Sequence, residues 1–491
     1  MRGRPDHATL NVVSEDKNLR TMSPEEFRRS AYEHADWIAG YLEHIRDFRV
    51  VPPTQPGDLI AALPETAPEN GEPIKQIFQD FQTTIVPALT LWNHPRFFAW
   101  FSVSSTPPSV LAEFLSATLN VNAMLWKSAP AATELEQVTL GWLRQWLALP
   151  EEFFGIIYDT ASIGVMQAIG AAREWVDPDC RIKGMRPGLI VYVSEHTHSS
   201  SEKAAITLGF GQENVRKIPV DSQFRMRPDL LQRVIESDLG AGKRPCCIVA
   251  SVGSTSTTAI DPVAQIADIA ERYNVWLHVD AAYGGPAAVV PEMRGILEGA
   301  ERAHSLILNP HKWLYVSIDC SVLYTRFPHV LRRASSLAAE YLRTAEDDRV
   351  VNYMDYGVQL GRRFRALKLW YVFRYYGRQG IIAMLRESLR LAQLLKSLIE
   401  ADADFELSAP VPLSLVCFRH RAGNEQNQRL LAEINASGKA FLSHTVLDGK
   451  FVLRFAIGNF QTNEQDVRDT WDLIRETAHE LAPAEHAGAA T

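Results

Sequence analysis

The alternation of short apolar runs with helical patterns between about Pro95 and Arg326 constrains this chain most. Each run spans four to six positions and is rich in β-branched residues. The runs are Leu189–Ser194, Cys246–Ser251, Val275–Val279, Ser305–Leu308 and Ser321–Tyr324. Such runs, separated by helices, are typical of buried parallel strands in βαβ units. The pattern predicts an α/β fold with a mostly parallel central sheet and a ligand at the carboxyl ends of its strands.

The segments on either side predict further domains. Ser23-Pro24-Glu25-Glu26 has the pattern of a helix start, and that helix is expected to reach about Phe48. A proline-rich connection and a second helix (Ile74–Leu91) complete an arm that we expect to pack on a partner subunit, with packing on its own chain as the alternative. The predicted division is a mobile N-terminus (1–22), a helical dimerisation arm (23–94), a large cofactor domain (95–378), a small α+β domain (379–482) and a tail (483–491).

The small domain is predicted from a change of pattern after Arg326. Arg362–Tyr376 and Gly377–Leu398 have helical patterns, and further helices are expected from Glu425 and Glu464. Three runs alternate apolar and polar residues, as half-exposed strands do. These runs are Leu413–His420, Ala440–Val446 and Phe451–Ile457.

Charge and cysteine content exclude several classes of protein. The 50 basic and 58 acidic residues give a net charge of −8, which argues against a nucleic-acid or anionic-membrane binder. Apolar stretches fall short of the ~20 residues that span a bilayer, and Met1–Asn18 lacks the apolar region of a secretory signal. The five cysteines have no CxxC spacing, so we expect a cytoplasmic protein without a disulfide framework or zinc site.

A lysine follows one of the predicted strands at the ligand edge. Asn309-Pro310-His311-Lys312-Trp313 begins directly after Ser305–Leu308. Partial burial lowers the pKa of a lysine and leaves a nucleophilic amine that can form a Schiff base with an aldehyde. Considered by itself, however, a lysine is more commonly found at the surface with an exposed ammonium group.

An aspartate ends the preceding run. In His278-Val279-Asp280 the carboxylate follows apolar residues and needs a charged or hydrogen-bonding partner. A pyridinium nitrogen is such a partner, because a carboxylate beside it keeps the ring protonated and able to accept electrons. Small residues follow in Ala281-Ala282-Tyr283-Gly284-Gly285, and they let a planar ring approach the backbone. A helix N-cap or a magnesium ligand remains the alternative for Asp280 alone.

Polar groups follow three other predicted elements. Thr160-Ala161-Ser162 opens a predicted helix whose free amides and hydroxyls can hold an anion, although such caps begin many helices. Glu195-His196-Thr197-His198-Ser199-Ser200 follows the strand that ends at Ser194, and a flat histidine there could stack on a cofactor ring or serve only the structure. Gly253–Thr258 brings hydroxyls to the same edge, or forms only a polar turn.

Together these groups predict a binding site for pyridoxal phosphate. An anion site, a flat histidine, hydroxyls, an aspartate and a lysine are what is needed to hold and activate this cofactor. The sequence has no GxGxxG turn after a candidate strand, no GxSxG elbow and no HExxH motif. A nicotinamide dehydrogenase, a serine hydrolase and a metal hydrolase are therefore disfavoured, and no metal site is predicted.

From about Ser23 to Leu481 the sequence resembles the group II pyridoxal-phosphate decarboxylases, and specifically the aromatic-L-amino-acid decarboxylases. The resemblance implies fold type I (aspartate aminotransferase-like), pyridoxal 5′-phosphate as cofactor and a homodimer with active sites at the interface. The stretches that carry it are HPRFFAWF (94–101), SAPAATELE (128–136), HVDAAYGG (278–285), NPHKWL (309–314), DCSVLY (319–324), LGRRFRALKLWYVFRYYG (360–377) and FVLRFAIGN (451–459).

The resemblance also implies roles for single residues. Lys312 matches the lysine that forms the Schiff base, and Asp280 the partner of the pyridine nitrogen. His198 would stack on one face of the ring and Ala282 on the other. Tyr341 matches a tyrosine on a mobile loop that, helped by His198, protonates Cα after carbon dioxide leaves. The positions that match phosphate contacts are Ala161, Ser162, Asn309 and His311, and Thr255 matches a position near the ring.

The resemblance implies an aromatic substrate. Gly361 occupies a position where plant relatives with glycine favour indoles and those with serine favour phenols, so tryptophan leads. Relatives with phenylalanine in place of Tyr341, or asparagine in place of His198, make aldehydes oxidatively, so we expect true decarboxylation here. An aldehyde synthase and a decarboxylase of an acid such as glutamate remain the alternatives. The other matching pocket positions are Trp92, Trp100, Phe101, Val103, Asn122 and Met124.

Overall fold

The computed structural model describes residues 21–337, 344–347 and 349–481. The predicted mobile N-terminus, for all but its last two residues, the tail and Tyr341, which was predicted to be catalytic, lie outside the described residues. Contacts between Cα atoms divide the chain into two compact units, with the division between Thr90 and Leu91.

The first unit contains the helices α1 (Pro24–Glu43), α2 (Asp58–Ala62) and α3 (Ile74–Asp80). The Ser23 side chain caps α1 by accepting a hydrogen bond from the Glu26 amide. The C-terminal ends of α1 and α3 were predicted several residues beyond where they lie in the structure. A 3₁₀ turn replaces the last part of the first helix, and a π turn and a 3₁₀ turn follow α3. Pro87 prevents a continuous α-helix as far as the predicted Leu91, because proline lacks the amide hydrogen that continues an α-helix.

A seven-stranded sheet forms the centre of the second unit, in the order β1-β7-β6-β5-β4-β2-β3. The prediction of a mostly parallel sheet is confirmed, and all five predicted runs are strands. The strands are β1 (Phe154–Tyr158), β2 (Leu189–Ser194), β3 (Val215–Ile218), β4 (Arg244–Ser251), β5 (Trp276–Asp280), β6 (Ser305–Leu308) and β7 (Ser321–Thr325).

Strand β7 corrects one part of that prediction, because it runs antiparallel to both β6 and β1. Only a one-turn helix, Pro310–Trp313, lies between β6 and β7. A connection without a full crossover helix favours an antiparallel return. Strands β1 and β3 were not predicted from the sequence. Arg216 and Lys217 interrupt the apolar pattern of β3, which lies at an edge of the sheet.

Both faces of the sheet are buried. Ile190 and Ile248 belong to one apolar cluster, whereas their chain neighbours Val191 and Val249 belong to a second cluster on the opposite face. The continuous apolar runs of the strands follow from this two-sided burial. The helices before β7 and directly after it are α4 (Pro107–Leu119), α5 (Pro130–Trp146), α6 (Ala161–Val176), α7 (Cys180–Lys183), α8 (Ser199–Thr207), α9 (Pro228–Gly240), α10 (Val263–Tyr273), α11 (Pro310–Trp313) and α12 (Pro328–Ser335).

A smaller antiparallel sheet lies near the C-terminus, in the order β10-β11-β9-β8. Its strands are β8 (Phe405–Leu407), β9 (Leu415–His420), β10 (Ser443–Leu447) and β11 (Lys450–Ala456), and its helices are α13 (Ala366–Glu400), α14 (Asn424–Ser437) and α15 (Glu464–Glu480). The prediction of half-exposed strands was wrong for β9 and β11, which are buried over nearly their whole length. Helix α13 begins after the predicted Arg362 and contains a break at Gly377 (φ 62°). Within the described part of the chain, no helix is long and apolar enough to cross a membrane.

Candidate active site

A cavity of about 210 Å³ opens at the carboxyl ends of β4, β5 and β6. It brings together all nine residues that the sequence predicted to hold a cofactor. These residues are Ala161, Ser162, His198, Thr255, Asp280, Ala282, Asn309, His311 and Lys312. Because parallel strands direct their carboxyl ends to one edge of the sheet, residues far apart in sequence meet there.

Lys312 lies on α11, the short helix that follows β6. Its amino group is 5.3 Å from the centre of the Phe101 ring. Burial lowers the pKa of Lys312, and the charge of Arg454 lowers it further, while Asp280 acts in the opposite direction. The side chain is therefore biased toward the neutral amine, which is the nucleophilic form.

Asp280 is the last residue of β5 and is 8% exposed. Its Oδ1 accepts a hydrogen bond from the Ala282 amide (3.1 Å), and its backbone oxygen accepts one from the Val252 amide (2.8 Å). Within the described chain, neither a hydrogen bond nor an ion pair occupies Oδ2. A buried carboxylate with a free oxygen at a cavity wall fits a cationic or N–H partner in a ligand.

His198 caps the N-terminus of α8 with its ring. Its Nδ1 accepts a hydrogen bond from the Ser200 amide (3.2 Å), so in the neutral ring the proton lies on Nε2. Burial is the main cause that lowers the pKa of His198, with Asp280 opposing it. A flat, neutral ring with one N–H group thus forms part of the cavity wall.

The N-terminus of α6 and the loop after β6 supply donors for an anion. Thr160 precedes α6 and does not cap it with its side chain, so the first amides of the helix remain available. Asn309 Oδ1 accepts from the Ser321 hydroxyl (2.6 Å), which leaves the amide NH₂ group as a donor. His311 Nδ1 accepts from the Cys320 amide (3.0 Å), and burial lowers the pKa of His311 to about 3, so Nε2 carries a proton.

Close packing of two glycines brings the loop after β4 to the cavity. Gly253 has a φ of 85°, and a Cβ atom there would lie 2.8 Å from the Gly284 amide nitrogen. The loop can therefore lie against the backbone that follows Asp280, and Thr255 and Ala282 both line the cavity. Substitution of Gly253 by any larger residue would separate these two walls.

Only one residue of the predicted substrate pocket lines this cavity, namely Phe101. Trp92 and Trp100 stack on each other with centroids 5.1 Å apart, and both are more than a third exposed. Val103 is partly buried. Asn122, Met124 and Gly361 form a separate group, in which a Cβ atom on Gly361 would lie 3.8 Å from Asn122 Nδ2.

A buried ion pair holds this separate group. Arg362 Nη2 and Glu136 Oε1 are 2.8 Å apart, with side-chain exposures of 6% and 2%. The Arg362 amide donates to Asn122 Oδ1 (3.0 Å), and its carbonyl accepts from the Ala123 amide (2.8 Å). The backbone beside Gly361 is therefore fixed against the segment that carries Asn122 and Met124.

Two further residues were not predicted from the sequence: Tyr283, which lines the cavity, and Arg454, which lies behind its Phe101 wall. Tyr283 stacks between Phe101 and Trp313, with centroids 3.7 and 4.9 Å away. Arg454, from β11 of the smaller sheet, has its guanidinium carbon 5.4 Å from the centre of the Phe101 ring. The available signal for Arg454 was a single arginine inside the apolar run 451–457. The remaining lining residues that were not predicted as site residues are Thr160, Ser200, Ser251, Gly253 and Ser254.

These residues fit a planar aldehyde that carries a phosphate. The amine of Lys312 and the free oxygen of Asp280 lie at the cavity, and the donors of α6, Asn309 and His311 provide an anion site. Ala282 and His198 are the small and the flat wall residues that a ring requires. The fit therefore depends on the hydrogen-bond donors and acceptors that the fold places around the cavity.

Comparison with known proteins agrees with this chemistry. The model of the pyridoxal-dependent decarboxylase conserved domain matches residues 56–421. Aromatic-L-amino-acid decarboxylase of Catharanthus roseus is 37% identical, covering 94% of this chain and 96% of its own. Phenylacetaldehyde synthase of Arabidopsis thaliana is 39% identical, covering 95% and 98%. The crystal structure of Oryza sativa TDC with PLP and tryptamine superimposes with a TM-score of 0.92 at 34% identity, covering 95% and 100%.

Proposed function

The chain belongs to the pyridoxal-dependent decarboxylase family, and we propose that it converts an aromatic L-amino acid to the corresponding arylalkylamine and carbon dioxide. It is a carboxy-lyase of the aromatic amino acid decarboxylase type and uses pyridoxal 5′-phosphate. L-tryptophan or a related indole or aryl amino acid is the proposed substrate. The observation that carries the proposal is the convergence of Lys312, Asp280 and His198 in one cavity with an aromatic wall.

Each of these residues has a proposed task. Pyridoxal phosphate supplies a protonated ring that accepts the electron pair left at Cα when carbon dioxide departs. The free carboxylate oxygen of Asp280 would hold a proton on the ring nitrogen. The amine of Lys312 would attach the cofactor, because burial favours its neutral form. His198 would form the flat wall beside the ring and offer its Nε2 proton.

Proton return to Cα is assigned to Tyr341, with help from His198. This assignment rests on the resemblance in sequence, since Tyr341 lies outside the described residues. The neutral state that burial imposes on His198 supports it, because a neutral ring can both donate at Nε2 and accept at Nδ1. A proton delivered to Cα by the Tyr341 hydroxyl would give the amine, whereas a site without the donor would favour the aldehyde, with molecular oxygen as the oxidant and hydrogen peroxide as its product.

The preference for an indole is proposed from Gly361 and the aromatic walls. Gly361 contributes no side chain beside Asn122, which leaves room for a bicyclic ring. Phe101 presents an apolar face at the cavity. A substrate carboxylate such as that of glutamate would need a dedicated cation. Arg454 lies near the cavity but already donates to neutral acceptors, which makes the acidic substrate the weaker alternative. The aldehyde synthase remains a second candidate because phenylacetaldehyde synthase of Arabidopsis thaliana is 39% identical.

We further propose a homodimer with active sites at the subunit interface. Three exposed side chains of α4 form an apolar stripe that a second copy could cover: Leu111, Leu115 and Leu119 are 60%, 41% and 61% exposed. Asn122 and Gly361 are exposed and do not line the cavity of their own Lys312, which suits residues that complete the site of a partner. Sedimentation equilibrium of the purified protein tests this proposal.

The domain boundaries and the cytoplasmic location are also proposals. We propose the cofactor domain at residues 95–378, the small domain at 379–482 and an arm at 23–94 that packs on the partner. The cytoplasmic location is supported by the five cysteines, which are all free and buried.

One experiment tests the proposed activity directly. The enzyme is incubated with tryptophan, 5-hydroxytryptophan, dopa, tyrosine, phenylalanine and glutamate, and amine, aldehyde and hydrogen peroxide are quantified. We expect tryptamine-type amines without stoichiometric peroxide. Aldehyde and peroxide in equal amounts would identify the synthase instead. A purified protein that remains colourless after addition of pyridoxal phosphate would contradict the enzyme assignment.

A further inference from the structure

Arg454 is a buried cation without a carboxylate partner in the described part of the chain. It lies on β11, is 3% exposed and forms no ion pair there. An unpaired buried charge is costly unless its N–H groups are satisfied by other acceptors. Arg454 therefore has to obtain its hydrogen bonds from neutral groups, and the identity of these groups indicates its role.

One side of the guanidinium binds the loop after β4. Arg454 Nη2 donates to the Thr255 carbonyl (2.6 Å), and Nε donates to the Ser256 carbonyl (3.2 Å). Cys417, opposite Arg454 on β9, also donates to the Ser256 carbonyl (3.3 Å). The smaller sheet thus holds the loop that carries Thr255 into the cavity.

The other side of the guanidinium binds the segment that carries Phe101. Arg454 Nη2 donates to the Trp100 carbonyl (3.4 Å), and Nη1 donates to the Ser443 hydroxyl (2.7 Å). The same hydroxyl accepts from the Trp100 amide (3.1 Å). Trp100 has a φ of 44°, a conformation that a bulky residue adopts only when its surroundings enforce it.

We propose that Arg454 is a positioning residue that clamps together two walls of the active site, the Thr255 loop and the Trp100–Phe101 segment. The planar fork of arginine can bind several carbonyls in different directions, whereas a lysine ammonium acts as a single point charge. The proximity of the guanidinium also contributes to the lowered pKa of Lys312. This inference rests on the proposed function of the cavity.

The test compares the holoenzyme with Arg454→Lys, which keeps the charge and loses the fork, and with Ser443→Ala. The control is Arg419→Lys, a buried arginine of the neighbouring strand β9 that is 6% exposed. Steady-state kinetics, the rate of cofactor dissociation and hydrogen exchange of the peptides around 98–102 and 253–258 are measured. Since an error of about 1 Å in position can cost on the order of 100-fold in rate, Arg454→Lys should lower kcat/KM by 10- to 100-fold.

Arg454→Lys should also release the cofactor faster and accelerate exchange in both peptides. Ser443→Ala removes two hydrogen bonds on the Trp100 side only. It should accelerate exchange at 98–102 and change kcat/KM while cofactor dissociation stays at the wild-type rate. A general loss of stability would not confine the faster exchange to the Trp100 side while cofactor dissociation stays unchanged.

Two results would overturn the clamp. One is an Arg454→Lys enzyme with wild-type kinetics, cofactor dissociation and exchange, which would mean that charge alone suffices. The other is an equal change in Arg419→Lys. Cofactor release and hydrogen exchange can be measured without knowing the substrate, so these two results are distinct from a failure of the proposed function. Such a failure would appear as a wild-type protein that does not bind pyridoxal phosphate.

Discussion

The amino group of Lys312 lies 5.3 Å from the ring centre of Phe101, and this ring stacks on Tyr283 at 3.7 Å. The aromatic wall removes water from one side of the lysine. Burial is accordingly the largest cause of its lowered pKa. The chemistry assigned to Lys312 therefore depends on a residue more than 200 positions away in the sequence.

Replacement of Lys312 by alanine removes the only amine among the described residues that line the cavity. We expect turnover to fall by at least ~1,000-fold, because no other residue there can attach the cofactor's aldehyde. Amine production and the absorption spectrum of the bound cofactor are the measurements. Lys183→Ala, which removes an exposed lysine 2.9 Å from Asp179, is the control and should retain activity. Full activity in Lys312→Ala would refute the assignment.

Replacement of Tyr341 by phenylalanine should redirect the products. The hydroxyl is the proposed proton donor to Cα, so its loss leaves the carbanion available to oxygen. We expect amine to decrease and aldehyde and peroxide to appear, as measured by chromatography and a peroxide assay. Amine formation at an undiminished rate would contradict the role given to Tyr341.

Replacement of Gly361 by serine should shift the preference from tryptophan toward tyrosine. A Cβ atom there would lie 3.8 Å from Asn122 Nδ2, an ordinary contact, so the variant should fold. Steric discrimination in pockets is worth roughly 10- to 200-fold, and we expect the ratio of kcat/KM for the two substrates to fall by about 10-fold or more. Gly141→Ser, where a Cβ atom meets nothing within 4 Å, is the control. An unchanged ratio would exclude Gly361 from the substrate pocket.

Replacement of Glu136 by glutamine should destabilise the protein strongly. Its carboxylate pairs with Arg362 at 2.8 Å in the interior, and removal of one partner leaves a buried unpaired charge. The expected loss is about 3–5 kcal/mol in the free energy of unfolding, as measured by urea denaturation. Glu292→Gln, which breaks an exposed pair with Arg386, should have little effect. Equal stabilities of these two variants would show that Arg362 finds another partner.

Stability should decrease as the pH falls below about 6.5. Burial lowers the pKa of His278 and of His304 to about 4, below the unfolded value. The unfolded chain therefore binds protons first, so their contribution is complete above pH ~6.5 and is lost as the pH falls toward 4. Each histidine contributes a slope of up to ~1.4 kcal/mol per pH unit. Between pH 7 and pH 5 the urea midpoint should change less in His304→Asn than in the wild type. A substitution of the exposed His44 is the control and should leave the pH dependence as it is in the wild type.

The elements that could be predicted from the sequence are those with a local signature. The five apolar runs became strands because two-sided burial demands continuous apolar residues. The nine residues predicted to hold the cofactor meet at one cavity. They could be predicted because they lie at or after strand ends and at a helix start, and because they match positions of the family that the sequence resembles. Strand β3 has no such signature, since its charged residues lie at a sheet edge. The antiparallel direction of β7 depended on the length of the connection before it.

Sequence alone determined the chemical groups of this protein: a lysine, an aspartate, a histidine and an anion site at the ends of successive elements. Only the tertiary structure decided how the walls of the cavity around these groups are held in place. Arg454 and Trp100 are 354 residues apart, and Arg362 and Glu136 are 226 apart. No periodicity along the chain encodes such contacts, because they arise when elements distant in sequence pack together. The pairing of buried charges with distant acceptors is therefore a property of the folded molecule.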